Sequence, residues 1–275
     1  MYKLVVSDMD DTFLGRGHQM IPANIEAVRR MRAAGILFAP SSGRPYSSIL
    51  HDLQGPWFDA FEDGYVVSYN GACINRVGDP EPLTGTWLDR GVAEELWARG
   101  RELGICMHAY AADGAWYVAN LGEDERDWLK GFPYVRDLGR APADLSFIGE
   151  QPVAKILFMG EDFEYIQRLG EEIAPALDPA KVHHTYSSRR YVEFVPAGVD
   201  KGAGLRALAA LLGIDMSETV AVGDAANDLA MIQAAGLGVG VANVTPDVAP
   251  FCDVVLKTSA YDGAFPELVD TCLLA

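Results

Sequence analysis

Three carboxylates fall within four positions at Asp8-Met9-Asp10-Asp11, directly after the apolar run Leu4 to Ser7. Acids this close repel one another, so their convergence at a strand end would require a compensating cation. A solvated acidic loop would have the same composition. A second acidic cluster, Gly223-Asp224-Ala225-Ala226-Asn227-Asp228, follows the apolar run Thr219 to Val222. It suits a metal site, and it equally suits a helix start whose dipole favours acids. Between the two lie Ser41-Ser42-Gly43-Arg44 and Asp200-Lys201-Gly202. A hydroxyl beside exposed backbone N–H groups, or a lysine near a helix N-terminus, fits a phosphoryl oxygen. Taken singly, Ser42 would serve as a capping serine and Lys201 as a surface lysine. Taken as a set, the four clusters each stand at a strand end or a helix start.

The elements that must carry them follow the alternation of a parallel α/β sheet. Leu4 to Ser7 reads as a strand ending at Asp8. A helix opens at Pro22, with Ile25, Val28 and Met31 near helical spacing and Gly35 as its stop. Ile36 to Pro40 is the second strand, Pro45 opens another helix, and Tyr65 to Tyr69 is a third strand ending at Asn70-Gly71. After Pro80 the pattern changes to a helix through Val92, Leu96 and Leu103, a hairpin of Ile105 to Tyr110 with Ala115 to Ala119, and a strand Val153 to Met159. A helix around Phe163 to Ile173 and strands Lys181 to Tyr186 and Tyr191 to Val195 complete that stretch. From Lys201 the alternation returns: Leu205, Leu208, Ala209 and Leu212 recur at helical spacing up to Gly213, and later strands read at Thr219 to Val222, Val239 to Ala242 and Asp253 to Leu256. The expected architecture is α/β: a Rossmann-like parallel-sheet core from residues 1–80 and 188–275, with an α+β cap, 81–187, inserted between them. Ligands of such sheets bind beyond the carboxyl ends of the strands, where the four clusters lie.

With 275 residues, 49% apolar and 22% charged, the chain is globular and long enough for two domains. Its 22 basic and 39 acidic residues give a net charge of −17, which argues against a nucleic-acid polymer or an anionic membrane as partner. A phosphate-bearing ligand must therefore meet cations placed locally. No apolar run reaches the roughly 18 residues that cross a bilayer, the N-terminus lacks a signal-peptide pattern, and Cys73, Cys106, Cys252 and Cys272 are scattered without CxxC pairing. A cytoplasmic protein with buried, reduced thiols is the expectation.

In order, DMDDT at 8–12, SSGR at 41–44, NGA at 70–72, DKG at 200–202 and GDAAND at 223–228 resemble the motifs of the haloacid dehalogenase-like phosphatases, specifically the Cof-type branch with its large inserted cap. GVGVAN at 238–243 and DG at 262–263 are similar to that branch as well. The chain departs from the family pattern at Asp11, where Gly is usual, and at Ser42, where Thr is usual; serine keeps the hydroxyl, and Asp11 is expected to point to solvent. The resemblance implies a phosphatase for small phosphomonoesters, sugar phosphates first, with nucleotides, flavin mononucleotide and pyridoxal phosphate behind them. Asp8 would be the nucleophile that forms an aspartyl-phosphate, and Asp10 the general acid and then base. Mg²⁺ would be held by Asp8, the Asp10 carbonyl, Asp224 and Asp228, the last directly or through water. Ser42 and Lys201 would hold phosphoryl oxygens, with Gly43, Arg44, Asn70 and Asn227 as further substrate contacts. Asn227 would orient Lys201 or a metal-bound water, or cap a helix; Arg44 and Asn70 would equally serve as structural hydrogen-bonders.

Other readings use the same residues. A phosphotransferase or phosphomutase of the superfamily would pass the phosphoryl group from Asp8 to a sugar, and a non-catalytic phospho-ligand-binding protein would keep the fold alone. A dinucleotide oxidoreductase would need a glycine-rich turn where this chain has Asp8 to Asp11. Lys155, in the apolar strand Val153 to Leu157, is expected on an exposed strand face, with a cleft-facing position as the alternative. Tyr110, Trp116, Tyr117, Trp128 and Tyr134 would fill the cap core or stack on a substrate ring.

Overall fold

The computed structural model describes residues 1–132 and 134–274. The chain forms two compact units, one made of Met1–Gly85 and the chain from Asp200 onward, the other of Thr86–Val199.

The first unit is built on eight strands: β1 (Leu4–Asp8), β2 (Leu37–Ser41), β3 (Tyr65–Ser68), β4 (Cys73–Arg76), β5 (Pro82–Gly85), and, after the second unit, β12 (Thr219–Gly223), β13 (Leu237–Gly240) and β14 (Val254–Val255). Their order is β14-β13-β12-β1-β2-β3-β4-β5; pairing is parallel from β14 to β3 and antiparallel from β3 to β5. Alternation along β1 explains the layers. Val5 packs with Phe13, Val28, Met31, Phe38 and Phe265 on one face, while Leu4 and Val6 pack with Leu205, Leu208 and Met231 on the other. Each face is covered by helices: α1 (Pro22–Ala33) on the first, α6 (Lys201–Leu212) and α7 (Leu229–Ala234) on the second. α1 begins on Pro22, whose missing N–H costs nothing at a first helical position, and turns its Ile25, Val28 and Met31 stripe inward. The parallel strands are apolar on both faces because both faces are covered.

The second unit carries β6 (Cys106–Ala111), β7 (Trp116–Ala119), β8 (Val135–Asp137), β9 (Val153–Met159), β10 (Val182–Ser187) and β11 (Tyr191–Pro196) in the order β10-β11-β9-β6-β7-β8. All pairs are antiparallel except β7 with β8. Met107, Ile156, Phe158, Val192 and Phe194 line one face against α3 (Arg90–Leu103) and α5 (Phe163–Ile173), a core that also takes in Trp97 and Ile166.

The unit boundaries differ from the expected 81 and 188. β5 pairs with β4 at the edge of the first sheet, which carries that unit to Gly85. β11 lies between β10 and β9, which carries the second unit to Val199. β13 starts two residues earlier than expected, set by its register of Leu237 against Val220. The cysteines are free, but only Cys73 is buried; Cys106, Cys252 and Cys272 are partly buried. No helix among the described residues is long and apolar enough to cross a membrane.

Candidate active site

The expected residues of the first unit gather at the carboxyl ends of β1, β2, β3 and β12. Asp8 is the last residue of β1, followed by an irregular turn over Met9–Phe13 in which Asp11 has φ 57°. Ser42 follows β2, and Asn70, with φ 55°, follows β3. Gly71 is required here by space. A Cβ on it would lie 2.1 Å from the Asp200 carbonyl oxygen, so only glycine lets the end of β3 touch the start of α6. That contact places Lys201. Gly223 acts in the same way for β12, because a Cβ there would meet the Asp228 side chain at 2.4 Å.

These close approaches bring together four buried charges. Lys201 Nζ donates to Asp8 Oδ1 and, at 2.6 Å, to Asp228 Oδ1, and all three side chains are almost wholly buried. Asp228 Oδ2 accepts the backbone N–H groups of Asp224 (2.9 Å) and Ala225 (3.1 Å). Asp224 Oδ1 accepts the Thr12 hydroxyl at 2.6 Å. Lys201 is thus oriented by Asp8 and Asp228; Asn227, expected to orient it, is exposed, because the inward position at the start of the turn goes to its neighbour Asp228.

The charge balance of this cluster is incomplete. Three carboxylates face one ammonium. Burial, then the Asp228 charge, raise the Asp8 carboxyl well above the ordinary range, although Lys201 pulls it down. Burial pushes the Asp224 carboxyl up to about 7 against the Thr12 hydrogen bond. Lys201, despite its burial, is held firmly protonated by Asp228 and Asp8. Asp8, Asp224 and Asp228 each offer a carboxylate oxygen within 4.8 Å of the others. An all-oxygen set with two uncompensated negative charges fits a hard divalent cation of the Mg²⁺ type. The hydrogen bonds from Lys201, Thr12 and the backbone N–H groups leave Asp8 Oδ2 and Asp224 Oδ2 unengaged.

Asp10 stands apart from that group. Its Oδ1 lies 2.6 Å from His18 Nδ1, and its Oδ2 lies 3.2 Å from Arg44 Nε. Burial alone would raise its carboxyl, but the His18 hydrogen bond and the Arg44 charge outweigh it and lower it on balance. Arg44 is anchored in turn by Asp52, 2.8 Å from Nη1, and its Nε and Nη2 are buried without a hydrogen bond. Ser42 Oγ accepts the Arg44 backbone N–H at 3.2 Å, so it does cap its own turn while its hydroxyl hydrogen stays available. The Asn70 Oδ1 is also buried without a hydrogen bond and lies 3.0 Å from where a Cβ on Gly43 would stand. Asp11 stays outside the carboxylate group and is exposed, as expected; there its Oδ1 accepts the Tyr261 hydroxyl at 2.9 Å and its carbonyl accepts Asn243 Nδ2 at 2.8 Å.

His18, Asp52 and Tyr261 were not singled out from the sequence. They belong to no spaced motif and reach their partners only through folding, Tyr261 across 250 positions. In the second unit, Lys155 is not on an exposed face. It is buried, 2.6 Å from Glu193 and over the Tyr110 ring, because Glu193 on the neighbouring strand supplies the counter-charge that makes burial tolerable. Of the aromatic residues there, Tyr110 and Trp116 are buried in ring contact at 5.1 Å, whereas Trp128 is half exposed.

The family model for haloacid dehalogenase-like hydrolases matches residues 5–268. YxeH of Bacillus subtilis (strain 168), named as a phosphatase, is 30% identical over 281 residues, covering 98% of this chain and 99% of its own. An HMP-PP phosphatase of Cronobacter sakazakii is 31% identical over 252 residues, covering 90% of this chain and 87% of its own. Among solved structures, a haloacid dehalogenase-like hydrolase from Bacteroides thetaiotaomicron superposes with a TM-score of 0.85 at 26% identity, covering 98% of this chain and 99% of that one.

Proposed function

Since the chain belongs to the haloacid dehalogenase-like hydrolases and is a phosphatase, we propose that it hydrolyses small phosphomonoesters, sugar phosphates foremost, with Asp8 as nucleophile and Mg²⁺ as cofactor. The observation that carries this reading is the buried group Asp8, Asp224, Asp228 and Lys201, a cation-deficient cluster at the strand ends. Structural charge clusters are normally compensated, and strongly perturbed carboxyls in such a place mark a functional site.

Asp8 attacks phosphorus in line with a carboxylate oxygen; the bond from phosphorus to the leaving oxygen breaks, and that oxygen takes a proton from Asp10, which carries one only once the negative charge of the phosphoryl group lies beside it. Asp10 then takes a proton from a water molecule as the water attacks the aspartyl-phosphate, releasing inorganic phosphate and restoring Asp8. Lys201 neutralises the developing charge and keeps Asp8 turned toward the phosphoryl group. The Ser42 hydroxyl donates to a phosphoryl oxygen, and the unbonded N–H groups of Arg44 serve the substrate beside Asp10. Mg²⁺ would be held by Asp8, the Asp10 carbonyl and Asp224, with Asp228, both of whose oxygens are engaged, contributing through water; it would supply positive charge to the phosphoryl oxygens. The second unit is proposed as the inserted cap that selects the leaving group.

The test is release of inorganic phosphate from a panel of sugar phosphates, nucleotides, flavin mononucleotide, pyridoxal phosphate and HMP-PP, with and without Mg²⁺. Asp8→Asn is expected to lower Mg²⁺-dependent release by about 10³-fold or more. Release that survives the substitution would overturn the Asp8 assignment, and a ranking led by HMP-PP would overturn the preference for sugar phosphates.

A further inference from the structure

The two oxygens of Asp10 are held unequally. Oδ1 has a directed partner, His18 Nδ1 at 2.6 Å. Oδ2 has only a neighbouring charge, because Arg44 Nε at 3.2 Å forms an ion pair but no hydrogen bond. His18 reaches Asp10 through an uncommon backbone. Gly17 and His18 are both left-handed, with φ 67° and 60°, and the Gly15 N–H donates to the Gln19 carbonyl at 2.8 Å to close the loop. Left-handed geometry is disfavoured for a residue with a side chain, with Asn, Asp and His the usual exceptions. Packing does not account for this loop, since none of Arg16, Gly17 and His18 is buried. Its side-chain contacts are Arg16 over the Tyr261 ring, 4.2 Å from the centroid, and His18 on Asp10.

We propose that His18 is a positioning residue for phosphoryl transfer: by occupying Oδ1 it fixes the Asp10 carboxyl and leaves Oδ2 as the oxygen that moves the proton. As the bond from phosphorus to the leaving oxygen breaks, that oxygen keeps the electron pair and takes the proton from Oδ2. In the second step the attacking water returns a proton to Oδ2 and the bond from Asp8 to phosphorus breaks. His18 Nδ1 donates to Oδ1 throughout and transfers nothing. The inference rests on the reading of Asp10 as general acid and base.

Leaving-group dependence separates positioning from a merely structural role, since an alkoxide needs a proton and a nitrophenolate does not. The experiment is single-turnover phosphorylation of the enzyme by p-nitrophenyl phosphate and by the best alkyl phosphate of the panel. His18→Gly keeps the left-handed backbone and removes the imidazole. It is expected to slow the alkyl ester by about tenfold and p-nitrophenyl phosphate by less than about twofold. His18→Asn places an amide N–H where Nδ1 stands and tolerates the same backbone, so it is expected to recover most of the loss. Equal losses on both esters, or no loss on either, would overturn the proposal. Asp10→Asn is the control: if it too slows both esters equally, the assignment of Asp10 falls and His18 with it, whereas discrimination by Asp10→Asn without discrimination by His18→Gly overturns the His18 inference alone.

Discussion

Each unit buries a group of charges, and the two groups are balanced differently. In the first unit, three carboxylates surround Lys201, and the Asp8 and Asp224 carboxyls are both driven upward by burial and by the Asp228 charge. In the second, Glu125 is equally buried but its charge is matched: its Oε1 accepts the Tyr191 hydroxyl at 2.7 Å and lies 3.2 Å from His108 Nε2, and its Oε2 forms an ion pair with Arg190 Nη2 at 2.8 Å without a hydrogen bond. Burial would raise the Glu125 carboxyl, yet these partners lower it. Lys155 and Glu193 pair one to one nearby, with Ser187 donating to the second Glu193 oxygen. A compensated buried charge ties strands together. An uncompensated one stores repulsion that a ligand relieves, and this contrast separates a site from a structural network where burial alone does not.

Neutralising one carboxylate in each group should therefore have opposite effects. Glu125→Gln is expected to destabilise the protein by about 3 kcal/mol, because it leaves Arg190 facing an amide in a buried setting. Asp224→Asn is expected to stabilise the metal-free protein by about 1 to 2 kcal/mol at pH 8, since the amide oxygen still accepts from Thr12 while a repulsion disappears; it should also abolish the stabilisation that Mg²⁺ gives the wild type. Urea unfolding of both variants with and without a chelator checks the pair, and the same sign in both would break the comparison.

The pH response sharpens it. Asp224 has an ordinary carboxyl pKa of 3.8 when unfolded and about 7 when folded. Between these values the folded state holds more protons, so metal-free stability should fall as pH rises from about 4 to about 7. Glu125 lies below its ordinary 4.5 when folded, so its contribution is complete above that pH and is lost as pH falls below it. Because Mg²⁺ must displace the Asp224 proton, its apparent affinity should weaken by up to about tenfold per pH unit below 7. Calorimetric titration at pH 5.5, 6.5 and 7.5 would show this; a flat affinity would remove Asp224 from the metal-binding group. The smallest effect belongs to Asp11→Asn. Its carboxylate lies outside the group and asparagine accepts φ 57°, so kcat should change by less than about twofold.

The sequence disclosed the parallel core because its strands are apolar on both faces and each is followed by a polar cluster. It did not disclose β5, whose four residues are all exposed, or β8, which has three residues and only Val135 partly buried, since neither offers an alternation to read. The helix Glu123–Trp128 shows no apolar stripe, because its buried residue is Glu125. The site divides in the same way. Asp8, Asp224, Asp228 and Lys201 stand beside strand and helix boundaries that the sequence marks, so their convergence follows from the topology. His18, Asp52, Glu125 and Glu193 depend on which side chain lies across from them, and spacing along the chain carries no trace of that. Lys155 is the instructive miss, since a lysine in an apolar strand reads as exposed until its counter-ion on another strand is known.

The pairing of β1 with β12 joins Leu4 through Ser7 to Thr219 through Val222. On a ribosome adding about 5 to 20 residues per second, β1 waits roughly 10 to 40 s for the neighbour that completes its central place in the sheet. The second unit, one unbroken stretch of chain, has all its partners in hand before β12 emerges. Folding should thus run inside out, with the inserted stretch settling first and the nucleophile's strand last, so that a nascent chain holds no reactive carboxylate cluster until Asp228 has been made.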